Sequence, residues 1–346
     1  MSKTFSLREI ADACSALSNQ VLAGIPLAEA TERLASIQRK YAPFWLEAGR
    51  NAGRGQPLSS ALGEAWPETY VASIKVGEES GRVGEVCSDI EQSIEVQNTA
   101  FGVLGKLIYP VAIILAGLVV SIFFLAFVIP QLMKAIDGGE RSPSVVLQIG
   151  LRMNDFIMEN GLLTAGLTAG LVGGLIVWVA SGAAGRHFYE IILRAPFLRE
   201  QVSMIFFAIW ARVLALMTTS GLPILTALPL SIQVLPAPLQ PAIRRIKHAL
   251  DQNVPLSKAV QPDMKGDDRE LIPFYISNAF RIAEQTGTLD MELGRAAPIM
   301  VKDASRVIER MANIASAIAM AIAGALLVIP LGSYYTELFK TIQRIM

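Results

Sequence analysis

Apolar and polar positions alternate along this chain on two length scales. Over residues 7–21, Leu7, Ile10, Cys14, Leu17 and Val21 recur at three- and four-residue spacing, which places them on one face of a helix. Gly24 is a natural stop for that helix, and Pro26 starts the next one near its first turn. The same patterning predicts helices over 27–39, 42–53, 57–65 and 67–80, with a further one beginning at 83. Alternating β-branched runs and Asn-Gly hairpin turns are missing from it. The expected unit is a compact bundle of about six short helices.

On the longer scale, three stretches are apolar throughout: LIYPVAIILAGLVVSIFFLAFVI (107–129), GLLTAGLTAGLVGGLIVWVASGAA (161–184) and MANIASAIAMAIAGALLVIPLG (311–332). Each reaches the roughly 20 residues that a helix needs to cross a bilayer. None carries an acidic, basic or histidine side chain. Proton relays and ion pathways leave such groups inside the membrane, so their absence argues against a pump or secondary transporter. Composition agrees: 52% of residues are hydrophobic and 17% charged, against about 25% charged in soluble domains. The formal net charge of zero gives no drive toward nucleic acid.

The first apolar run begins only after residue 106, and the opening MSKTFSLREIADACSALSNQ has no signal-peptide core, which predicts a cytosolic N-terminus. Near the spans, Lys106, Arg186, Arg194, Arg199, Lys302, Arg306 and Arg310 fall on one side. Lys134, Arg141, Arg152, Lys340 and Arg344 fall on the other. This small bias puts the first set inside.

Several landmarks occur twice in the same order. LSNQVLAGIPLAEA (17–30) is echoed by LALMTTSGLPILTA (214–227), matching Gly24 and Pro26 with Gly221 and Pro223. GQPLSSAL (55–62) is echoed by NVPLSKAV (253–260), and VIP at 128–130 by VIP at 328–330. The acidic turn VGEESGRVGEV (76–86) is echoed by IAEQTGTLDME (282–292), aligning Glu78 with Glu284 and Gly81 with Gly287. The offsets cluster at about two hundred residues, which reads as an internal duplication. Each copy is then a helical unit followed by one outgoing span, and 161–184 returns the chain so that the copies are parallel rather than inverted.

The acidic turn has two readings. Gly81 at positive φ can end the helix begun at Pro67, with Glu78 and Glu284 capping or salt-bridging inside their own bundles. Alternatively these acids, with Glu79, Glu85, Asp290 and Glu292, face a partner or bind a hard cation through oxygen ligands, although no EF-hand spacing supports a metal.

The Leu-x(6)-Gly-x-Pro-Leu-x-x-Ala element at 17–30, the Gly-Glu-x-Ser-Gly element at 77–81, their echoes and the span layout resemble the type II secretion F family. These are the polytopic inner-membrane platform proteins of type II secretion systems and type IV pili, often called GspF or PilC proteins. The resemblance covers essentially the whole chain. It implies an all-α polytopic membrane protein of the bacterial inner membrane, with a cytoplasmic N-terminus. The expected order is a cytoplasmic bundle over 1–106, a transmembrane helix over 107–129 and a short periplasmic loop over 130–160. A second transmembrane helix over 161–184, a second bundle over 185–310, a third transmembrane helix over 311–332 and a periplasmic tail over 333–346 follow. Implied partners are a hexameric assembly ATPase, pilin or pseudopilin subunits, other inner-membrane assembly proteins, further copies of the chain and membrane lipids. The second copy departs from the motif, with Ala283 in place of Gly77 and Gln285-Thr286 in place of Glu79-Ser80. The chain starts almost directly at the first bundle, which leans the reading toward a type IV pilus platform, of the type IVb or conjugative kind.

Other chemistry has little material. No Gly-x(4)-Gly-Lys-Ser/Thr loop is present, and His187 and His248 are the only histidines, so neither nucleotide hydrolysis nor a zinc site is expected. The expectation is a non-enzymatic chain with no cofactor. Cys14 and Cys87 read as reduced core residues. Gly166, Gly170 and Gly174, spaced by four, allow close helix approach in lipid, and Ala315, Ala319 and Ala323 repeat the idea. Arg244, Arg245 and Lys247 form either a solvated helix face or a contact for anionic headgroups or an acidic motor surface. The rivals left open are a duplicated transporter subunit and a membrane anchor for another complex.

Overall fold

A computed structural model describes residues 5–63, 65–106, 196–260 and 272–345, with single positions between 113 and 159. The described residues are helical, with no strand among them. Residues 1–103 and 189–307 pack into one compact unit, and 104–188 with 308–346 form a second.

In the first unit, six helices come from the N-terminal stretch: α1 (Leu7–Leu22), α2 (Leu27–Ile37), α3 (Ala42–Gly53), α4 (Leu58–Leu62), α5 (Glu68–Glu79) and α6 (Val83–Gly105). Ser6 and Glu9 close the start of α1 reciprocally: the Ser6 hydroxyl accepts from the Glu9 N–H (3.3 Å) and the Glu9 carboxylate accepts from the Ser6 N–H (2.8 Å). Ile10, Ala13, Cys14 and Leu17 are buried on the face that the periodicity marked. α2 and α3 form a hairpin so close that a Cβ on Gly49 would lie 2.9 Å from both the Ala28 carbonyl oxygen and the Glu32 nitrogen. Phe5, Tyr41, Phe44, Trp45 and Trp66 stack and tilt against one another at one end of this core. Glu9 joins that end to α1, accepting from Lys40 Nζ and the Tyr41 hydroxyl, each at 2.9 Å.

Six more helices come from the later stretches: α7 (Pro196–Thr219), α8 (Ile224–Ser231), α9 (Gln240–Asp251), α10 (Leu256–Ala259), α11 (Phe274–Thr286) and α12 (Leu289–Ile345). α7 is apolar on nearly every side, and its Arg199–Thr219 segment is long enough to cross a membrane. Most of that segment is nevertheless buried inside the protein, where it serves as a core helix. Its Leu216 enters the same buried cluster as Ile10, Cys14, Trp45, Tyr70 and Cys87. α7 and α8 also pack on α5.

Turn geometry recurs between the two stretches. Pro26, Pro57 and Pro67 precede α2, α4 and α5, while Pro223, Pro255 and Pro273 precede α8, α10 and α11, each with ψ near 140°. Positive φ is needed at Gly55 (82°) after α3, and Asn253 (58°) meets the same need after α9. A tyrosine on the helix before the last is tied to the last helix both times. Gln97 donates to the Tyr70 hydroxyl (2.6 Å), and the Tyr275 hydroxyl donates to Asp303.

In the second unit, Lys106 and Glu309 form an ion pair at 2.5 Å, and a Cβ on Gly117 would lie 2.5 Å from the Ala323 Cβ. The two contacts fall in the same order in sequence, Lys106 before Gly117 and Glu309 before Ala323. The expected third span lies within α12, whose Leu289–Ala325 segment is long and apolar enough to cross a membrane. Ile314, Ile318, Met320, Ile322 and Val328 on it are exposed, a surface suited to lipid rather than water.

Candidate functional site

The repeated acidic turn is built from one device. The first N–H groups of a helix have no partner inside it, and negative charge is favoured there. In the last turn of α5, the Glu78 carboxylate reaches the start of α4 and accepts from the Leu58 N–H (2.5 Å) and the Ser59 N–H (3.1 Å). On α11, the Glu284 carboxylate accepts from the Ser257 N–H at the start of α10 (2.6 Å). These Ser257 hydrogen bonds hold Glu284 below the ordinary carboxyl range. The PLS elements at 57–59 and 255–257 are therefore the receiving ends of the repeated glutamates. Gly81 (φ 69°) and Gly287 (φ 73°) then turn the chain into α6 and α12.

The other acids of the turn take different surroundings. Glu79 is exposed, and Glu85, also exposed, pairs with Arg82 at 2.6 Å. Asp290 is half-buried and accepts from the Thr219 hydroxyl at 3.5 Å, while Glu292 lies 3.5 Å from Arg295. Among the described residues no group of three or more His, Cys, Asp or Glu side chains is placed to hold a metal ion.

α9 buries Ala242, Ile243 and Ile246. Its other face presents Arg244, exposed and donating to Gln240 (3.2 Å), and Lys247, paired with Asp251 at 2.6 Å; Arg245 is half-buried. His248 ends the same helix, 3.3 Å from Gln252. Gly166, Gly170, Gly174 and His187 lie outside the described residues. Cys14 and Cys87 are both buried free thiols, as the sequence suggested.

The structure adds a group of residues that pattern reading passed over. Where α6, α7 and α12 meet, the half-buried Arg212 donates to the Gln92 side chain (2.8 Å). Burial pushes the Asp89 carboxyl above its ordinary value; Arg212 and Arg82 oppose this, and Glu85 and Asp290 add to it. Burial lowers Arg212 from its ordinary value, with Asp89 opposing. A signal was present, because Arg212 is the one charged residue in QVSMIFFAIWARVLALMTT (201–219). Elsewhere between the two stretches, Gln233 donates to Glu68 (3.1 Å) and Gly221 lies against Val76. The contacts between the two stretches are thus a mix of apolar insertion and a small polar cluster.

A helical chain with this doubled turn architecture fits a bundle-forming membrane family, and comparison identifies which one. The family model for Type II secretion system (T2SS), protein F, matches residues 6–130 and 210–336, and the chain belongs to that family. It is similar to the Type II secretion system protein F of Pseudomonas aeruginosa, 26% identical over 66% of this chain and 58% of that protein. It is also similar to the Type 4 fimbrial assembly protein PilC of Pseudomonas putida, 24% identical over 86% of this chain and 75% of the relative. The Type IV pilus assembly protein TapC of Aeromonas hydrophila is 22% identical over 96% of this chain and 81% of its own length. The relatives thus come from secretion and from pilus assembly, and the chain spans less than two thirds of the first of them.

Proposed function

We propose that this chain is the inner-membrane platform of a type IV pilus assembly machine, coupling a cytoplasmic assembly ATPase to the extraction and polymerisation of pilins. The observation that carries the reading is the family match in both halves, combined with the packing of 1–103 and 189–307 into one unit. Stretches that share one compact unit lie on one side of a membrane. The chain between them then crosses an even number of times, as the spans at 107–129 and 161–184 supply. A third span over 311–332 leaves the C-terminus outside. The matched turns, prolines and Tyr-to-last-helix bonds support two copies of one six-helix bundle.

In this reading the platform has no enzymatic activity of its own, and mechanical energy comes from the ATPase. Glu78 and Glu284 are committed to their bundles. Of the acids, Glu79 and Glu85 are the exposed candidates for the motor contact, and Arg244 offers a basic counterpart for lipid or protein. Other assembly proteins and further copies complete the platform.

The test is binding of the full-length protein, in detergent, to the hexameric assembly ATPase of the same organism. Saturable binding, weakened when Glu79 and Glu85 become alanine with the fold intact, supports the reading and its contact. Binding indifferent to both changes keeps the platform and removes the contact. No binding overturns the platform in favour of a transporter subunit or an anchor for another complex. The second reading, the equivalent platform of a type II secretion system, is favoured by the P. aeruginosa relative. Restoration of pilus assembly or of protein secretion in matched deletion strains separates the two.

A further inference from the structure

The contact between the N-terminal helices and α7 is not uniformly apolar. Leu216 is buried in the cluster formed by α1 to α6, and Phe101 meets Phe206 edge-on at 6.4 Å between centroids. Between these apolar contacts along α7 sits Arg212. One of its terminal nitrogens donates to Gln92, but the Nε is buried and finds no acceptor among the described residues. Gly294 of α12 leaves room for the guanidinium; a Cβ there would lie 3.4 Å from a terminal nitrogen. The charge that acts on it is Asp89 of α6, itself half-buried, and Arg82, Glu85 and Asp290 act on Asp89 in turn.

A buried charge with incomplete hydrogen bonding is held less well than an apolar group of the same volume, because its lost hydration is only partly replaced. Parting α7 from α6 returns water to Arg212 Nε and to Asp89 together. We infer that Arg212 and Asp89 form a polar latch that lets α7 part from the N-terminal helices while each remains folded. The seam between the two stretches is then a built-in place of movement, whichever machine the chain serves. Without the polar group, the apolar contacts on either side would hold this seam as tightly as the rest of the core.

Thiol labelling of the intact protein in detergent tests this. Leu216→Cys places a thiol that only an open seam exposes, and Cys14 and Cys87, fully buried in the same cluster, report unfolding of the N-terminal helices. The latch predicts that a maleimide modifies the new thiol at least about tenfold faster than Cys14 or Cys87, through opening short of global unfolding. Adding Asp89→Asn with Arg212→Met slows that reaction about tenfold and leaves the two native thiols unchanged. Equal rates at all three thiols would overturn the inference. So would an unchanged or faster rate in the double variant, and a double variant that exposes all three thiols together would show Arg212 to be a structural clasp instead.

Discussion

The N-terminal stretch (α1–α6) and the later one (α7–α12) share their turns and differ in their crossings. Both use Gly-x-Pro after the first helix, a left-handed residue before the short helix and a glutamate that caps it. α1 is a two-faced surface helix, whereas α7 is enclosed on nearly every side. The α2–α3 hairpin closes on Gly49; at the matching place α9 carries Lys247, which points to a surface ion pair. The start of α1 is a polar network around Glu9, where α7 has buried Phe206. Chain direction is set by short local signals that tolerate little change, while helix faces are free to diverge. The N-terminal stretch carries the close helix packing, and the later one supplies a helix enclosed within the unit.

The largest test of that contrast is Gly49→Ala. The Glu32 side chain can swing away, but the Ala28 and Glu32 backbone atoms cannot, so the change should cost about 1–3 kcal/mol. Lys247→Ala should stay within about 0.5 kcal/mol. Thermal unfolding of the two full-length variants in detergent measures both, and equal losses would dissolve the contrast.

The caps come next. Glu78→Ala removes the partner of two helix N–H groups at a half-buried site and should cost about 1–2 kcal/mol. Glu284→Ala removes one bond at an exposed site and should cost less than that. The same melting experiment ranks them, and the reverse order would show α10 to depend on its cap more than α4 does. At the left-handed positions, Gly55→Ala should cost about 1 kcal/mol. Asn253→Gly should be neutral or stabilising by a few tenths, which separates the two turns by residue choice rather than shape.

The smallest expected effect is acid sensitivity. The Lys40 hydrogen bond, aided by Ser6 and Tyr41, lowers Glu9 from its ordinary value of 4.5 to about 2. A carboxylate with a depressed folded value contributes stability above about 4.5 and loses it as the pH falls toward about 2. The melting temperature should therefore differ between the wild type and Glu9→Gln at pH 6, and the difference should shrink by pH 3. A gap that persists at pH 3 would assign the effect to packing.

The sequence carried the helices and turns because their signals are local. The apolar spacing from Leu7 to Val21, Gly24 before Pro26, and Gly81 after Glu78 each act within a few residues. It also offered the structural role of Glu78 and Glu284, since an acid aligned with a duplicated turn suggests a cap. It did not name the receiving groups, the Ser59 and Ser257 N–H, which lie nineteen and twenty-seven residues away. The Lys40 and Tyr41 bonds to Glu9, the closeness at Gly49 and the setting of Arg212 were equally hidden. Each depends on how helices distant in sequence meet. Arg212 left a trace as a charge in an apolar run, and α7 shows why such a run is ambiguous: burial in protein and burial in lipid ask for the same side chains.

Topology is the most direct test of the account, because a single helical unit made from both stretches requires them on one side of the membrane. Alkaline phosphatase, active only outside the cytoplasm, can be inserted within 130–160 and within 261–271, and fused at each end of the chain. The account predicts activity from 130–160 and the C-terminus, and silence from the N-terminus and 261–271. Activity at 261–271, or silence at 130–160, would contradict it.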